Sequence, residues 1–416
     1  MQPASLMPLH ILLLLPLITQ AQVIQNILVA GSKPPAGFKF QLGTWFNDPE
    51  TTQSWNAKFG RKFPTFQAAQ SIPYGVNGSL VILDPDMSYQ SRYLDNVAGW
   101  QDGTDASVFM TIYADRMVSN GSQGLDLVSA DAITHLATRL NQITQTTGRK
   151  VMMRWLPEMN GDWMLYGKQA AAYVEKWKLM YNIFNVTAPN VQIVWSPNFD
   201  LQPGDTSYWP GPEYVHMVGT SSYFKGWGTN SNASVNYVAS AISTVYNEYA
   251  RKYNKPFVIS ECSGAWESGP GRSPVTGETF TNVTSLDTQP EFQQAFWAGI
   301  LNPAFFAAFP LTQAAYIFEI AKQEEFFTDF RLTNDSATFA AFQALVNSVD
   351  SQGYLVWAND GSSTSSTTTT TSTTTASTFA TTAISAAITP SASPTKSGAR
   401  TSFAASVFSI FSFLFF

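Results

Sequence analysis

Two glutamates stand where short apolar runs break off. Glu158 follows Val151–Trp155 in VMMRWLPEMNGDWMLYG, and Glu261 follows FVIS in KPFVISECSG. Arg154 lies just before the first; Asn160, Gly161, Asp162 and Trp163 lie just after it. A carboxylate at the end of a buried strand, beside an arginine and an indole, suits sugar chemistry. One carboxyl can protonate a leaving oxygen while a second acts at the ring carbon. Aromatic rings offer the apolar face of a pyranose a flat partner. Either glutamate alone is ordinary, since strand-end carboxylates often cap helices or pair with arginine; the two together are the signal.

Composition narrows the chemistry further. The 416 residues carry 23 Lys+Arg against 29 Asp+Glu, a net charge of -6, so no basic surface is available to track a phosphate backbone and nucleic acid is not an expected partner. Histidines number three, at His10, His135 and His216, too few for a His-rich metal site or an easily assembled Ser-His-Asp triad. No metal and no organic cofactor is expected. Cys262 is the single cysteine, which rules out an intramolecular disulfide and predicts a buried, inert thiol. Aromatics reach 14%, with 12 Trp, 16 Tyr and 30 Phe, which serve equally well as core or as sugar platforms.

The elements that must position the glutamates alternate along the chain. Strands are expected at residues 38–44, 80–83, 108–113, 151–155, 191–195, 215–219, 257–260 and 315–318. Helices are expected at 129–146, 168–185, 234–252, 290–302 and 336–349. Within 234–252, Val238, Ala241, Ile242, Val245 and Tyr249 recur at helical spacing. Alternation of this kind implies parallel pairing through βαβ units, and eight such strands predict a (β/α)8 TIM barrel, of class α/β. A doubly wound sheet is the alternative, although no Gly-rich phosphate loop follows the first strand. In a barrel, working residues stand at the C-terminal strand ends. Counting strands puts Glu158 on the fourth and Glu261 on the seventh, facing each other across the mouth. A retaining glycosidase needs two carboxyls about 5–5.5 Å apart.

The two ends of the chain are of different material. Residues 1–21 read as a secretory signal with a short apolar core, HILLLLPLI. The barrel is assigned to 22–358. Six Asn-x-Ser/Thr acceptors fit export: Asn77, Asn120, Asn185, Asn232, Asn282 and Asn334. Residues 359–397 form a Ser/Thr-rich stalk with nothing to bury, expected to be disordered and O-glycosylated. Residues 398–416 end in an apolar tail that reads as a GPI-anchor signal, with lipid attached near Ser397 or Gly398. A short hydrophobic anchor is the alternative. The expected location is the cell surface, held to plasma membrane or wall through lipid alone, and a monomer suffices.

The segment RWLPEMNGDWMLYG resembles the fourth-strand motif of glycoside hydrolase family 26, a clan A family of endo-β-mannanases. Arg154, Glu158, Gly161 and Trp163 fall on the family pattern in register, VWSPN (194–198) is similar to its fifth-strand segment, Tyr223 in GTSSYF to its sixth-strand tyrosine, and ISECSG to its nucleophile strand. The resemblance spans roughly residues 38–357. It implies that Glu158 is the acid/base, that Glu261 is the nucleophile, and that Tyr223 touches the nucleophile. The chain departs from the pattern at Pro157, where the family carries histidine and clan relatives carry asparagine. Proline brings no donor, so a contact to sugar or glutamate must come from elsewhere, with Asn160 or Asn198 as candidates.

The expected substrate-binding set is Trp45, Arg154, Asn160, Trp163, Trp195, Asn198, Tyr223, Trp227 and Trp266, with Phe318 standing in for an eighth-strand tryptophan. Arg154 and Tyr223 are expected to hold the charge of Glu261. The Gly/Pro-rich stretch 267–284 is a candidate substrate wall. The function expected is a retaining endo-type hydrolysis of a β-linked polysaccharide, mannan-type by resemblance. The alternatives are a cell-wall β-glucan hydrolase or transglycosylase on the same barrel, or a surface protein that binds carbohydrate without cleaving it, which Pro157 favours.

Overall fold

The computed structural model describes residues 28–47, 50–73, 102–117 and 121–359. The expected signal sequence, nearly all of the stalk, the anchor tail, the acceptors Asn77 and Asn120, and the strand expected at 80–83 lie outside these residues. The four described acceptors, Asn185, Asn232, Asn282 and Asn334, are all exposed.

Eight parallel strands close on themselves. They are β1 (Phe40–Phe46), β2 (Thr65–Ser71), β3 (Ser107–Tyr113), β4 (Val151–Trp155), β5 (Gln192–Trp195), β6 (Met217–Lys225), β7 (Phe257–Ser268) and β8 (Thr312–Glu319). Each pairs in parallel with the next, and β8 pairs with β1 to complete the ring. Helices return the chain between strands: α1 (Thr52–Phe59), α2 (Ala130–Thr147), α3 (Ala170–Thr187), α4 (Tyr237–Val245), α5 (Gln289–Ala298), α6 (Pro303–Ala308) and α7 (Ser336–Asp350). This is the expected TIM barrel.

The second strand is β2, whose sequence TFQAAQS lacks the β-branched alternation that marks its neighbours. The expected 234–252 helix divides: α4 passes directly into a π-helical stretch, Tyr246–Arg251. β7 runs eight residues beyond Ser260, because Phe327–Asp329 pairs antiparallel with Trp266–Ser268 and extends the sheet past the barrel rim. Part of the expected wall at 267–284 is therefore ordered strand, followed by the antiparallel pair Gly271–Arg272 and Thr279–Phe280.

Helix ends follow local chemistry. The Thr51 and Thr288 side chains cap α1 and α5 in capping boxes, and Ser129 and Asp335 cap α2 and α7, each satisfying first-turn N–H groups that have no partner within the helix.

Side chains alternate between two packed layers. Phe109, Met152, Val194, Met217, Val258, Ala314 and Tyr316 plug the barrel interior. The opposite strand faces join the helices in the outer layer, where Trp155, Trp177, Trp195 and Trp297 are fully buried. The Tyr316 ring stacks on Phe109 at 4.2 Å and lies against Gly43, where any Cβ would overlap it. A Gly43→Ala change would overpack this plug, at a cost of about 1–3 kcal/mol. The plug closes the lower barrel and leaves the polar upper layer as the floor of the mouth.

Candidate active site

β4 supplies the first pieces by alternation. Met152 and Arg154 point inward, while Val151, Met153 and Trp155 join the outer layer. Arg154 is fully buried at the barrel centre. Its Nε donates to Ser196 Oγ at 3.0 Å and its Nη2 to Ser221 Oγ at 2.6 Å. Its Nη1 donates to Glu261 Oε1 in a short charge-assisted bond. Nη2 also lies 3.9 Å from Glu158 Oε1, so one guanidinium reaches both carboxylates. Burial is the largest influence and works against the Arg154 charge, but Glu261, Tyr113, Glu158 and Tyr223 together outweigh it and raise the pKa above its ordinary value. Arg154 is therefore a permanent cation between the two glutamates.

After Trp155 the chain turns sharply. Leu156 and Glu158 both adopt positive φ, 41° and 57°, a region that non-glycine residues seldom occupy. Such residues cost about 1–3 kcal/mol each and persist only where the surroundings fix them. Here the turn is tied on all sides. Leu156 N–H donates to Ile112 O at 3.0 Å and Glu158 N–H to Ser196 O at 2.9 Å. Tyr166 O–H donates to Pro157 O at 2.8 Å. The Glu158 side chain accepts from Trp163 Nε1 at 2.9 Å and is 9% exposed. Trp163 itself is 40% exposed, as a residue at the mouth should be.

Glu261 reaches the interior through a bulge. Along β6 and β7, Thr220 lies opposite Ile259 but Ser221 lies opposite Glu261, so Ser260 is an extra residue. The register with β8 shifts at the same place. A bulge of this kind re-aims side chains. Ser260 and Glu261 consecutively face inward, and Ser260 Oγ lies 3.0 Å from Ser196 Oγ. Gly219 leaves the space that Ser260 fills. Cys262 then turns outward into the apolar layer, buried, with its Sγ 3.5 Å from Tyr316 O; desolvation pushes the thiol well above its usual range.

Four donors surround the Glu261 carboxylate. Tyr223 O–H donates to Oε2 at 2.7 Å. Oε1 takes Arg154, Gln67 Nε2 at 3.3 Å and Tyr113 O–H at 3.5 Å. Desolvation, with the nearby Glu261 charge, raises both tyrosines well above the usual phenol range, so both remain donors. Gln67, Tyr113, Ser196 and Ser221 were not singled out in the sequence. They occupy inward positions on β2, β3 and β6 or just after β5, and the period of two would find them once the strand boundaries are known.

The remaining expected residues divide. Trp45 packs edge-on to Phe318 at 5.3 Å, and Phe318 and Phe330 both contact the Tyr223 ring, forming an aromatic wall behind it. Trp227 is half-buried, with φ 53° and Lys225 Nζ 4.8 Å from its ring centroid. One expected platform is closed off and another is partly covered. Trp195 is fully buried between Trp209 and Tyr249, with its Nε1 donating to Tyr208 O, because it follows inward-facing Val194 and so faces the helices. Trp266 packs on Phe292 of α5, on the opposite side of β7 from Ala265, which joins the wall.

The two asparagines also separate. Asn160 is occupied: its Oδ1 accepts from Asn198 N–H at 2.8 Å and its Nδ2 donates to Asp200 Oδ1 at 2.5 Å. Asn198 Oδ1 accepts from Asp200 N–H at 3.3 Å, which orients the amide and leaves its Nδ2 without a partner among the described residues. Asp200 is pushed above the usual carboxylate range by desolvation; Lys168 opposes the rise and the Glu158 charge adds to it. Among the described residues, no group of three His, Cys, Asp or Glu gathers that could hold a metal ion.

Known proteins share sequence and fold with this chain. Endoglucanase H of Acetivibrio thermocellus is 26% identical over 218 residues, 47% of this chain and 24% of that protein. A mannan endo-1,4-beta-mannosidase of Caldalkalibacillus mannanilyticus is 32% identical over 103 residues, 22% of this chain and 20% of that protein. The chain thus spans about a quarter or less of the length of these curated relatives. Among solved structures, GH26C from Muricauda sp. has a TM-score of 0.51 at 12% identity, over 77% of this chain and 87% of that one. A GH26 β-mannanase from Bacteroides ovatus has a TM-score of 0.50 at 12% identity, over 78% of this chain and 91% of that one. The likeness to both is one of fold. Residues 91–267, which contain Arg154, Glu158, Tyr223 and Glu261, match the family model described as glycosyl hydrolase family 26.

Proposed function

We propose that the protein is a retaining, endo-acting glycoside hydrolase of a β-linked polysaccharide, with Glu158 as acid/base and Glu261 as nucleophile. The observation that carries this reading is the single buried guanidinium of Arg154 reaching both carboxylates at the barrel mouth. Glu261, held by Arg154 and Tyr223, attacks the anomeric carbon. Glu158 gives its proton to the leaving oxygen and later takes one from water. Trp163 orients Glu158 through its indole N–H and offers its exposed ring to the sugar.

The names of the two relatives suggest two substrate classes, a β-1,4-mannan and a β-glucan. Pro157 bears on the choice, because its side chain brings no donor beside the acid/base. We take the unpartnered Nδ2 of Asn198 as the donor that replaces it. The protein is proposed to act at the cell surface, exported by residues 1–21 and held by a lipid that replaces the tail.

The test is a panel of β-mannan, β-1,3-glucan, mixed-linkage glucan and xylan, with the anomer released followed by NMR. Retention, with both Glu158→Gln and Glu261→Gln inactive, is the expected result. Inversion overturns the mechanism, and full activity in both variants overturns the site. Binding without cleavage by the wild type moves the protein to the non-catalytic alternative. Release from cells by a phosphatidylinositol-specific phospholipase checks the anchor.

A further inference from the structure

Building on the reading of Glu261 as nucleophile, we propose that Gln67 and Tyr113 are positioning residues that hold Oε1 of that carboxylate, so that Oε2 is the oxygen that attacks. The two oxygens are not equivalent. Oε1 receives Arg154 Nη1, Gln67 Nε2 at 3.3 Å and Tyr113 O–H at 3.5 Å. Oε2 receives Tyr223 O–H alone, at 2.7 Å. Each carboxylate oxygen offers about two lone-pair sites. Oε1 is thus fully engaged, whereas Oε2 retains one lone pair. Gln67 is 5% exposed and cannot swing away, since its Nε2 also donates to Thr111 Oγ1 at 2.9 Å. Two acceptors fix the amide orientation, because the reverse orientation would set the amide oxygen against the carboxylate.

This arrangement has a kinetic consequence. In the first step a lone pair on Oε2 forms the bond to the anomeric carbon as the glycosidic bond breaks. That bond's electron pair goes to the leaving oxygen, which takes the Glu158 proton. In the second step a water molecule gives one proton to Glu158, its oxygen bonds to the anomeric carbon, and the carbon–Oε2 pair returns to the carboxylate. Charge on Oε1 falls in the first step and returns in the second. Donors on Oε1 therefore favour the free carboxylate over the ester. Removing one makes Glu261 a better nucleophile and a poorer leaving group.

The experiment compares wild type, Gln67→Met and Glu261→Gln on a 2,4-dinitrophenyl β-mannobioside or β-cellobioside, for which the second step limits turnover. With Gln67→Met, kcat should fall about tenfold, the lower range for a bond to a charged group. KM should fall in parallel, and kcat/KM should change by less than about threefold, because the first step is not slowed. Mass spectrometry of quenched enzyme should show more glycosyl-enzyme at steady state. A misfolded fraction would lower the burst amplitude and leave KM unchanged, so active-site titration separates the two cases. An unchanged kcat, or an equal loss in kcat and kcat/KM, overturns the role of Gln67. An active Glu261→Gln enzyme instead overturns the underlying assignment of the nucleophile.

Discussion

Changing Trp163 to phenylalanine isolates one bond. The indole Nε1 donates to Glu158 Oε2 at 2.9 Å, and the ring rests against Gly161, where a Cβ would clash with it. Phenylalanine keeps a flat ring over Gly161 and removes the donor. A hydrogen bond to a charged group is worth about 1.5–3 kcal/mol. Trp163 is 40% exposed, so water can refill the vacancy and the lower figure applies. About 1.5 kcal/mol corresponds to a loss of roughly tenfold in kcat/KM. The assay sets an unactivated oligosaccharide against a dinitrophenyl glycoside. The latter leaves without a proton, so the misaligned acid should matter only for the former: about tenfold loss on the oligosaccharide, less than about twofold on the aryl glycoside. In a Glu158→Gln background the same change should have a smaller effect, because the two residues act as a unit. Equal losses on both substrates would refute the argument and leave Trp163 as a binding platform alone.

Arg154→Met should be inactive and should destabilise the fold at pH 7 by about 3–5 kcal/mol, because it leaves Glu261 buried without its cation; thermal melts measure this. Burial pushes Tyr166, Tyr173 and Tyr316 above the usual phenol range. Their folded pKa values are raised, so the stability they contribute is full below about pH 10 and falls as pH rises beyond it, by about 1.4 kcal/mol per pH unit for each, as denaturant melts between pH 9 and 11 should record. Cys262, fully buried with its thiol held protonated, should not react with Ellman's reagent at pH 8 until denaturant is added, and should then titrate as one equivalent.

Much of this architecture could be read from residue order. β4 was legible because VMMRW is a clean apolar run, and the glutamate beyond it marks the rim. Glu261 is legible for the same reason, and counting places it on the seventh strand with the second expected at 80–83. β2 is not legible as a strand because Gln67 and Gln70 interrupt its apolar pattern; the same polarity brings Gln67 to Glu261. Trp163 and Trp195 look alike as letters. Trp163 lies in the loop after β4 and meets solvent, whereas Trp195 stands on the outward face of β5 and packs against Tyr249 of the π-helical stretch. Pro157 was visible as a misfit, but the left-handed residues on either side of it were not, since tertiary bonds to Ile112 and Ser196 impose that conformation.

The extra residue at Ser260 makes the contacts of Glu261 also a register pin. Below it, β7 sits in step with β6; above it, the strand runs one place ahead. Sliding the dislocation upward would rotate Glu261 into the aliphatic layer and bring Cys262 into the mouth. Arg154 and Tyr223, by gripping the carboxylate, set the energy of that slide. The chemistry of the mouth and the frame of the seventh strand thus share bonds, so a variant built only to silence the enzyme, such as Glu261→Leu, would also loosen the strand's register.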